Sequence, residues 1–325
     1  MPIMNDTSLR ASDIIWETPV CASCGSAERR HVITSFDYEI SIECEFTIVE
    51  CADCGLCYTC PRPEIRQLIE NFYPDDYICY IHADENATMG RLDSFFDMRT
   101  NGPRYRRLAR FANGRSISLL DVGCGDGYLL KHLKRRTDWQ LRGLEPNPKM
   151  ASYLNRQGLE VDCGLLHEMN YEDASFDAVI LTHVLEHTPD PLAVLQEISR
   201  IMRPGGMLLV EVPNFNAFGR NLMKRYWWGY HLPRHLYHFT PQTLSALASK
   251  AGLVRTGLRY PFLFGSWAWN IHIMLKMSRA PMILAEALTY RHPLLLMSGA
   301  PLELINVVLR RGNLMELCFE KQKRA

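Results

Sequence analysis

The stretch from Leu119 to Tyr128, LLDVGCGDGY, constrains this 325-residue chain more than any other. An apolar run (Ile117, Leu119, Leu120, Val122) carries one acid, Asp121, near its end, and glycines follow at alternate positions, Gly123, Gly125 and Gly127. A helix-like run, YLLKHLKRR, comes next. The pattern predicts a buried strand, a tight turn and a helix start, with glycine letting a ligand reach the main chain without a Cβ in the way. A second strand-like run, LRGLE, ends in Glu145, where an acid can accept hydrogen bonds from both hydroxyls of a ribose.

Strand and helix then alternate. Helices are predicted over 128–136, 148–157 and 191–202, and strands over 140–144, 159–161, 176–182 and 207–212, with an RPGG turn before the last. Strands spaced by such helices imply an α/β fold with a parallel sheet covered on both faces. Ligands of these sheets bind beyond the carboxyl ends of the strands, where Asp121, Glu145, Thr182 and His183 fall. A helix over 91–112 carries Arg104, Arg106, Arg107 and Arg110, read as a solvated face.

The N-terminal part has another logic. Residues 1–18 are polar and irregular, a flexible lead-in. Cys21-Ala-Ser-Cys24 and Cys51-Ala-Asp-Cys54 bracket a segment in which Ile40, Ile42, Cys44, Phe46 and Ile48 share one parity, the period of a strand. Two C-x-x-C knuckles joined by a hairpin present four thiolates to a tetrahedral zinc, so Cys21, Cys24, Cys51 and Cys54 are the predicted metal ligands. Cys51, Cys54, Cys57 and Cys60 before Pro61 also resemble a ferredoxin run, one residue short before the last cysteine. Cys57 and Cys60 are read as packing residues. Residues 21–60 hold seven acids and two arginines, and the whole chain has no net charge, so no nucleic-acid partner is expected.

Beyond the knuckles, CGLCYTCPRPEIRQLIENFYPDDY resembles the linker of a bacterial methyltransferase family with an N-terminal ribbon. Residues 115–260 resemble the class I methyltransferase core through DVGCGDG, GLEPNP, SFDAVILTHVLEH, the PGG before MLLVEVPN, and HLYHFTPQTL before KAGL. The resemblance implies a seven-stranded, mostly parallel Rossmann-like sheet that uses S-adenosylmethionine. It places Gly123, Gly125 and Gly127 along the methionine part and Glu145 at the ribose, with Asp121, Cys124 and Pro146 also at the cofactor. Gly164 and Leu165 fall near the adenine, beside Cys163, and Thr182 and His183 at the end of the next strand. The dinucleotide pattern G-x-G-x-x-G fails at Tyr128. Candidates for handling the acceptor are His235, His183 and Tyr237. Glu186 and His187, with a later histidine, resemble the divalent-metal site of ubiquinone-pathway O-methyltransferases. His183 stands where those carry glutamate, and the pair is read as loop support.

The partition expected is a lead-in over 1–18, a zinc-ribbon-like module over 19–62, a helical linker over 63–112 and a methyltransferase domain over 113–325. Within the last, 261–311 is a helical insertion, with helices around 281–297 and 301–310. From Tyr260 to Leu275 no residue is charged, yet 16 residues fall short of the roughly 20 a spanning helix needs. That stretch is expected to be buried in the core or a homodimer, or to meet a membrane surface or lipid through about 260–310. The activity expected is methyl transfer to a small-molecule acceptor, with O-methylation in sugar, lipid or secondary-metabolite biosynthesis as the class. An RNA methyltransferase with a zinc module and a non-catalytic adenosylmethionine-binding scaffold are the rivals. No secretory segment is visible, and cysteine use points to a reducing, cytoplasmic setting, peripheral to the inner membrane face if the apolar stretch meets lipid.

Overall fold

A computed structural model describes residues 11–39, 44–73, 91–263, 265–277 and 293–322, without the side chains of 91–100 and 293–298. The chain forms two compact units, each assembled from separated stretches.

One unit comprises Met1–Pro74, Pro213–Thr243 and Tyr260–Leu314. Its sheet has four strands in the order Tyr237–His238, Cys57–Thr59, Glu45–Cys51, Arg29–Phe36, and each printed pairing is antiparallel. Phe46 and Ile48 are buried as their parity predicts; Ile40 and Ile42 lie outside the described residues. The described part of the lead-in is ordered: Ile14 is buried and Trp16–Glu17 pairs with Arg62–Pro63. Burial of an apolar side chain and a paired backbone outweigh the polar composition that suggested a loose segment. Most of the FYPxDY element lies outside the described residues. Fully buried Arg234 donates to both Asp37 carboxylate oxygens, at 3.2 and 3.1 Å, and to the Phe72 carbonyl at 2.6 Å. Near the C-terminus, helices Ser266–Met277 and Pro293–Val308 share a buried polar knot. Glu303 accepts from Ser266 Oγ, Asn306 Nδ2 and Asn313 Nδ2, and Trp227 Nε1 donates to Asn313 Oδ1 at 3.0 Å. Where two helices were expected, one runs through Pro301; residues 281–292 lie outside the described part.

The other unit comprises Asp75–Val212, Leu244–Arg259 and Met315–Ala325. Its strands are β1 (Ser118–Val122), β2 (Gln140–Glu145), β3 (Val161–Cys163), β4 (Phe176–Thr182), β5 (Met202–Pro213), β6 (Leu253–Arg259) and β7 (Leu314–Lys321). They form one seven-stranded sheet in the order β3-β2-β1-β4-β5-β7-β6. β1 to β5 are paired parallel, and β6 is antiparallel to β7. Continuous apolar runs such as Ala178–Leu181 are buried throughout, as a sheet covered on both faces requires. Asn147 caps helix Pro148–Arg156 by accepting from the Lys149 and Met150 amides, and Asp190 caps Pro191–Ile201 by accepting from Ala193. The RPGG segment is a bulge inside β5: Met202 pairs with Phe176 and Met207 with Ala178, so four residues are accommodated without ending the strand.

On helix Arg91–Ala112, Arg106 and Arg110 are exposed as read, but Arg104 and Arg107 depart from the solvated reading. Arg104 is buried, hydrogen-bonds Glu211 on β5 and the Asn101 side chain, and lies 3.7 Å from Glu316 on β7. Arg107 and Arg259 also pair with fully buried Glu316. Two acids in the sheet core demand cations, and the helix supplies them. Arg104→Leu is therefore expected to destabilise the protein by about 3 kcal/mol in urea titrations, because it strands a buried carboxylate. Arg104→Leu/Glu211→Leu should recover most of that loss; a double variant as unstable as the sum of the two singles would contradict the pairing.

Candidate cofactor cleft and cysteine centre

β1 and its neighbours β2 and β4 mark the point where strand order reverses, and the glycine loop leaves β1 there. The loop is fastened to the end of β2. Amides of Gly123 and Cys124 both donate to the Leu144 carbonyl, at 2.8 and 3.1 Å. Gly125 N–H donates to Glu145 Oε2 at 2.9 Å, and Asn147 N–H to Glu145 Oε1 at the same distance. A Cβ on Gly123 would collide with Val184 Cγ2 at 2.5 Å, whereas one on Gly125 would meet nothing within 4 Å. The loop is thus packed at its base and open at Gly125.

Charge is concentrated there. Burial raises the Asp121 carboxyl to about 7; Asp126 and Glu145 add to that rise, against the pull of Arg104. Burial also raises Glu145, opposed by the amides of Asn147 and Gly125. Cys124 is buried, and burial pushes its thiol up, away from reactivity. After β3, Gly164 N–H donates to the Glu145 carbonyl at 3.2 Å, and Leu165 is 45% exposed with its amide given to Glu168. The Cys163 thiol lies 4.0 Å from the Pro146 carbonyl. At the end of β4, Thr182 Oγ1 is buried without a hydrogen-bond partner among the described residues.

His183 follows with φ of 53°, in the left-handed region. Its Nδ1 lies 3.3 Å from Glu186 Oε1, its Nε2 3.7 Å from Glu211 Oε1, and its side chain is 37% exposed. Burial opposes its charge, but Glu186 and Glu211 prevail and raise its pKa. All eleven residues expected at the cofactor therefore lie in the sheet-bearing unit, on the loop or at strand ends.

The remaining candidates lie in the other unit. His235 is buried, with Nδ1 3.0 Å from the Gly229 carbonyl, which makes Nε2 the basic nitrogen when Nδ1 donates. Tyr237 is buried in the four-stranded sheet, stacked on Phe239 and under Arg62. Sequence reasoning missed Glu211, which flanks His183. The signal was there: it is the single acid in the apolar strand MLLVEV.

The two C-x-x-C-G knuckles are built alike. Gly25 N–H donates to the Cys21 carbonyl and Gly55 N–H to Cys51, at 2.7 and 3.0 Å. Sulfurs of Cys21 and Cys54 are 3.4 Å apart, those of Cys24 and Cys51 3.5 Å, and all four lie within 4.8 Å of one another. A tetrahedral zinc with bonds of about 2.3 Å sets its sulfurs about 3.8 Å apart, so the set fits such an ion. Cys57 and Cys60 are buried, and burial pushes the Cys57 thiol up to about 12.

Residues 98–256 match a family described as Methyltransferase domain. This stretch, just under half of the chain, is similar to that family. The chain is 33% identical over 139 residues to a probable S-adenosylmethionine-dependent methyltransferase of Mycolicibacterium smegmatis, covering 41% of this chain and 52% of that protein. It is 32% identical over 130 residues to a ubiquinone biosynthesis O-methyltransferase of Xanthomonas oryzae, covering 37% and 54%. The chain thus spans about half the length of these curated relatives. The phosphoethanolamine N-methyltransferase 2 of Haemonchus contortus superposes with a TM-score of 0.51 at 17% identity, over 82% of this chain and 63% of that one, a likeness of fold.

Within this stretch, His183 is expected to titrate above the ordinary histidine value of about 6.5, and Glu186→Gln to lower its pKa in an NMR titration. Because the folded pKa is raised, the stability His183 adds over His183→Gln is full at low pH and fades as pH rises through that folded value. A difference that grows with pH would contradict the pairing.

Proposed function

We propose that the protein transfers a methyl group from S-adenosylmethionine to a small-molecule acceptor. The observation that carries this reading is the loop open at Gly125 with Glu145 pinned beside it, in a domain of the matching family. The residues fit the cofactor on their own chemistry. Asp121 and Glu145 suit cationic and hydroxyl groups, the orphaned Thr182 hydroxyl suits a polar atom, and Cys124 stays neutral. Bound adenosylmethionine supplies an electrophilic methyl. The chain's task is then alignment, worth several kcal/mol of barrier, and removal of a proton where the acceptor carries one. His183 lies at the end of β4, and His235 and Tyr237 are the other acceptor-handling candidates. O-methylation of a sugar, lipid or secondary-metabolite intermediate is favoured by the O-methyltransferase named among the relatives.

A structural zinc held by Cys21, Cys24, Cys51 and Cys54 belongs to the same proposal. The exposed row Leu304, Ile305, Val308 and Leu309 supports contact with lipid or with a second copy of the chain. No helix among the described residues is long and apolar enough to cross a membrane.

Incubation with radiolabelled methyl donor and a panel of hydroxylated acceptors tests the reaction: label should reach at least one acceptor, and total loss in His235→Ala with cofactor binding intact would assign the base. Label confined to added RNA would contradict the small-molecule reading. Asp121 is ionised only above about pH 7 in the free protein, so affinity for the cationic cofactor should rise as pH increases through that value. Asp121→Asn should flatten the dependence, and a wild-type affinity that falls with pH would contradict it. Metal analysis should give one zinc per chain and no visible absorbance, with Cys51→Ser losing the metal; a brown protein would indicate iron and sulfur instead.

A further inference from the structure

The segment Pro213–Thr243 carries a cationic concavity that the cofactor chemistry leaves unused. A cavity of about 290 Å³ is lined by Ile33, Arg220, Asn221, Lys224 and Tyr230, all in the ribbon-bearing unit. Arg62, Arg104, Arg225 and Arg234 each pair with a carboxylate, to Glu17, Glu211, Glu45 and Asp37. Arg220 pairs with none: among the described residues no acid lies within ion-pair distance of Arg220 or of Lys224.

Neutral groups hold Arg220 in place instead. Its guanidinium sits 3.8 Å over the centre of the Phe215 ring, and Nη1 donates to the Phe215 carbonyl at 3.0 Å. Tyr230 lines the same cavity; burial raises its hydroxyl and the nearby Arg220 charge opposes that rise. A fork fixed in this way keeps its positive charge while losing little freedom on binding an anion. Lys224 is presented by strained backbone, φ 48° and ψ −124°, at the end of helix Phe218–Met223. Strain of this kind at an exposed cation is retained where the position of the side chain matters.

We propose that this cavity binds a phosphoryl group, between Arg220 and Lys224, with Asn221 and Tyr230 supplying neutral hydrogen bonds. Two cations match its charge, and a planar fork matches two of its oxygens. The acidic ribbon does not oppose this, because its contribution to the lining is Ile33, and the nearby Glu45 is taken by Arg225. The phosphoryl group comes either from free phosphate or from a phosphorylated small molecule, and binding does not depend on methyl transfer.

Calorimetry on the full, zinc-loaded chain at low salt, with inorganic phosphate and glucose 1-phosphate as probes and glucose as neutral control, tests this. One saturable site per chain is expected, weakened at least about tenfold by Arg220→Gln. Lys224→Gly should also weaken binding while leaving thermal stability equal or higher, since glycine accepts the positive φ. Tighter binding of the ester assigns the source to a phosphorylated small molecule, and equal binding assigns it to free phosphate. Failure of both probes to saturate in the millimolar range would overturn the site. So would wild-type affinity in Lys224→Gly, which holds even if Arg220→Gln fails to fold.

Discussion

The carboxylate of Glu145 is the group on which the proposed cofactor cleft depends. Each of its oxygens accepts one backbone amide, from Gly125 and from Asn147, so a single side chain joins the glycine loop, the end of β2 and the start of the next helix. Those amides would otherwise point into the cleft without partners, and the carboxylate would otherwise be buried without donors. The loop is consequently firm before any ligand arrives. A preorganised loop loses less freedom on binding, and keeps the Gly125 backbone clear for close approach.

A second constraint lies behind the first. Glu211 and Glu316 place two acids in the interior of the sheet, and Arg104, Arg107 and Arg259 answer them. Such buried pairs are weak contributors to net stability but expensive to break. Their use here is to aim groups: Glu211 accepts from Arg104 and also faces His183, the residue at the end of β4. Charge in the core therefore reaches the mouth of the cleft through one shared carboxylate.

Much of this was legible in the sequence. LLDVGCGDGY and LRGLE gave strand, turn and carboxylate because each signal is local: apolar runs, alternate glycines, an acid at a strand end. The helices expected from 148 and from 191 begin there, and the structure adds the Asn147 and Asp190 side chains that cap them. The four cysteines were found because knuckle spacing is itself a geometric statement. What escaped depends on contacts far apart in the chain. Arg104 and Arg107 looked like one more solvated face, since their partners lie over a hundred residues away. Tyr237–His238 gave no hint that it extends the sheet of the cysteine module, because a two-residue strand has no period to read. Two acids, Glu211 and Glu316, were visible anomalies in apolar strands and could have prompted a search for buried cations.

The unit that holds the four cysteines collects three stretches that a linear partition would assign to separate modules, and buried polar contacts hold them: Arg234 to Asp37, and Trp227 through Asn313 to Glu303. The most direct test of the cleft is equilibrium binding of S-adenosylmethionine to the intact protein and to Glu145→Gln. One molecule should bind per chain, with affinity reduced at least about tenfold in the variant, which keeps the size of the side chain but loses its charge and one acceptor. Absence of binding to the wild type, equal affinity in the variant, or preference for a nicotinamide dinucleotide would contradict it.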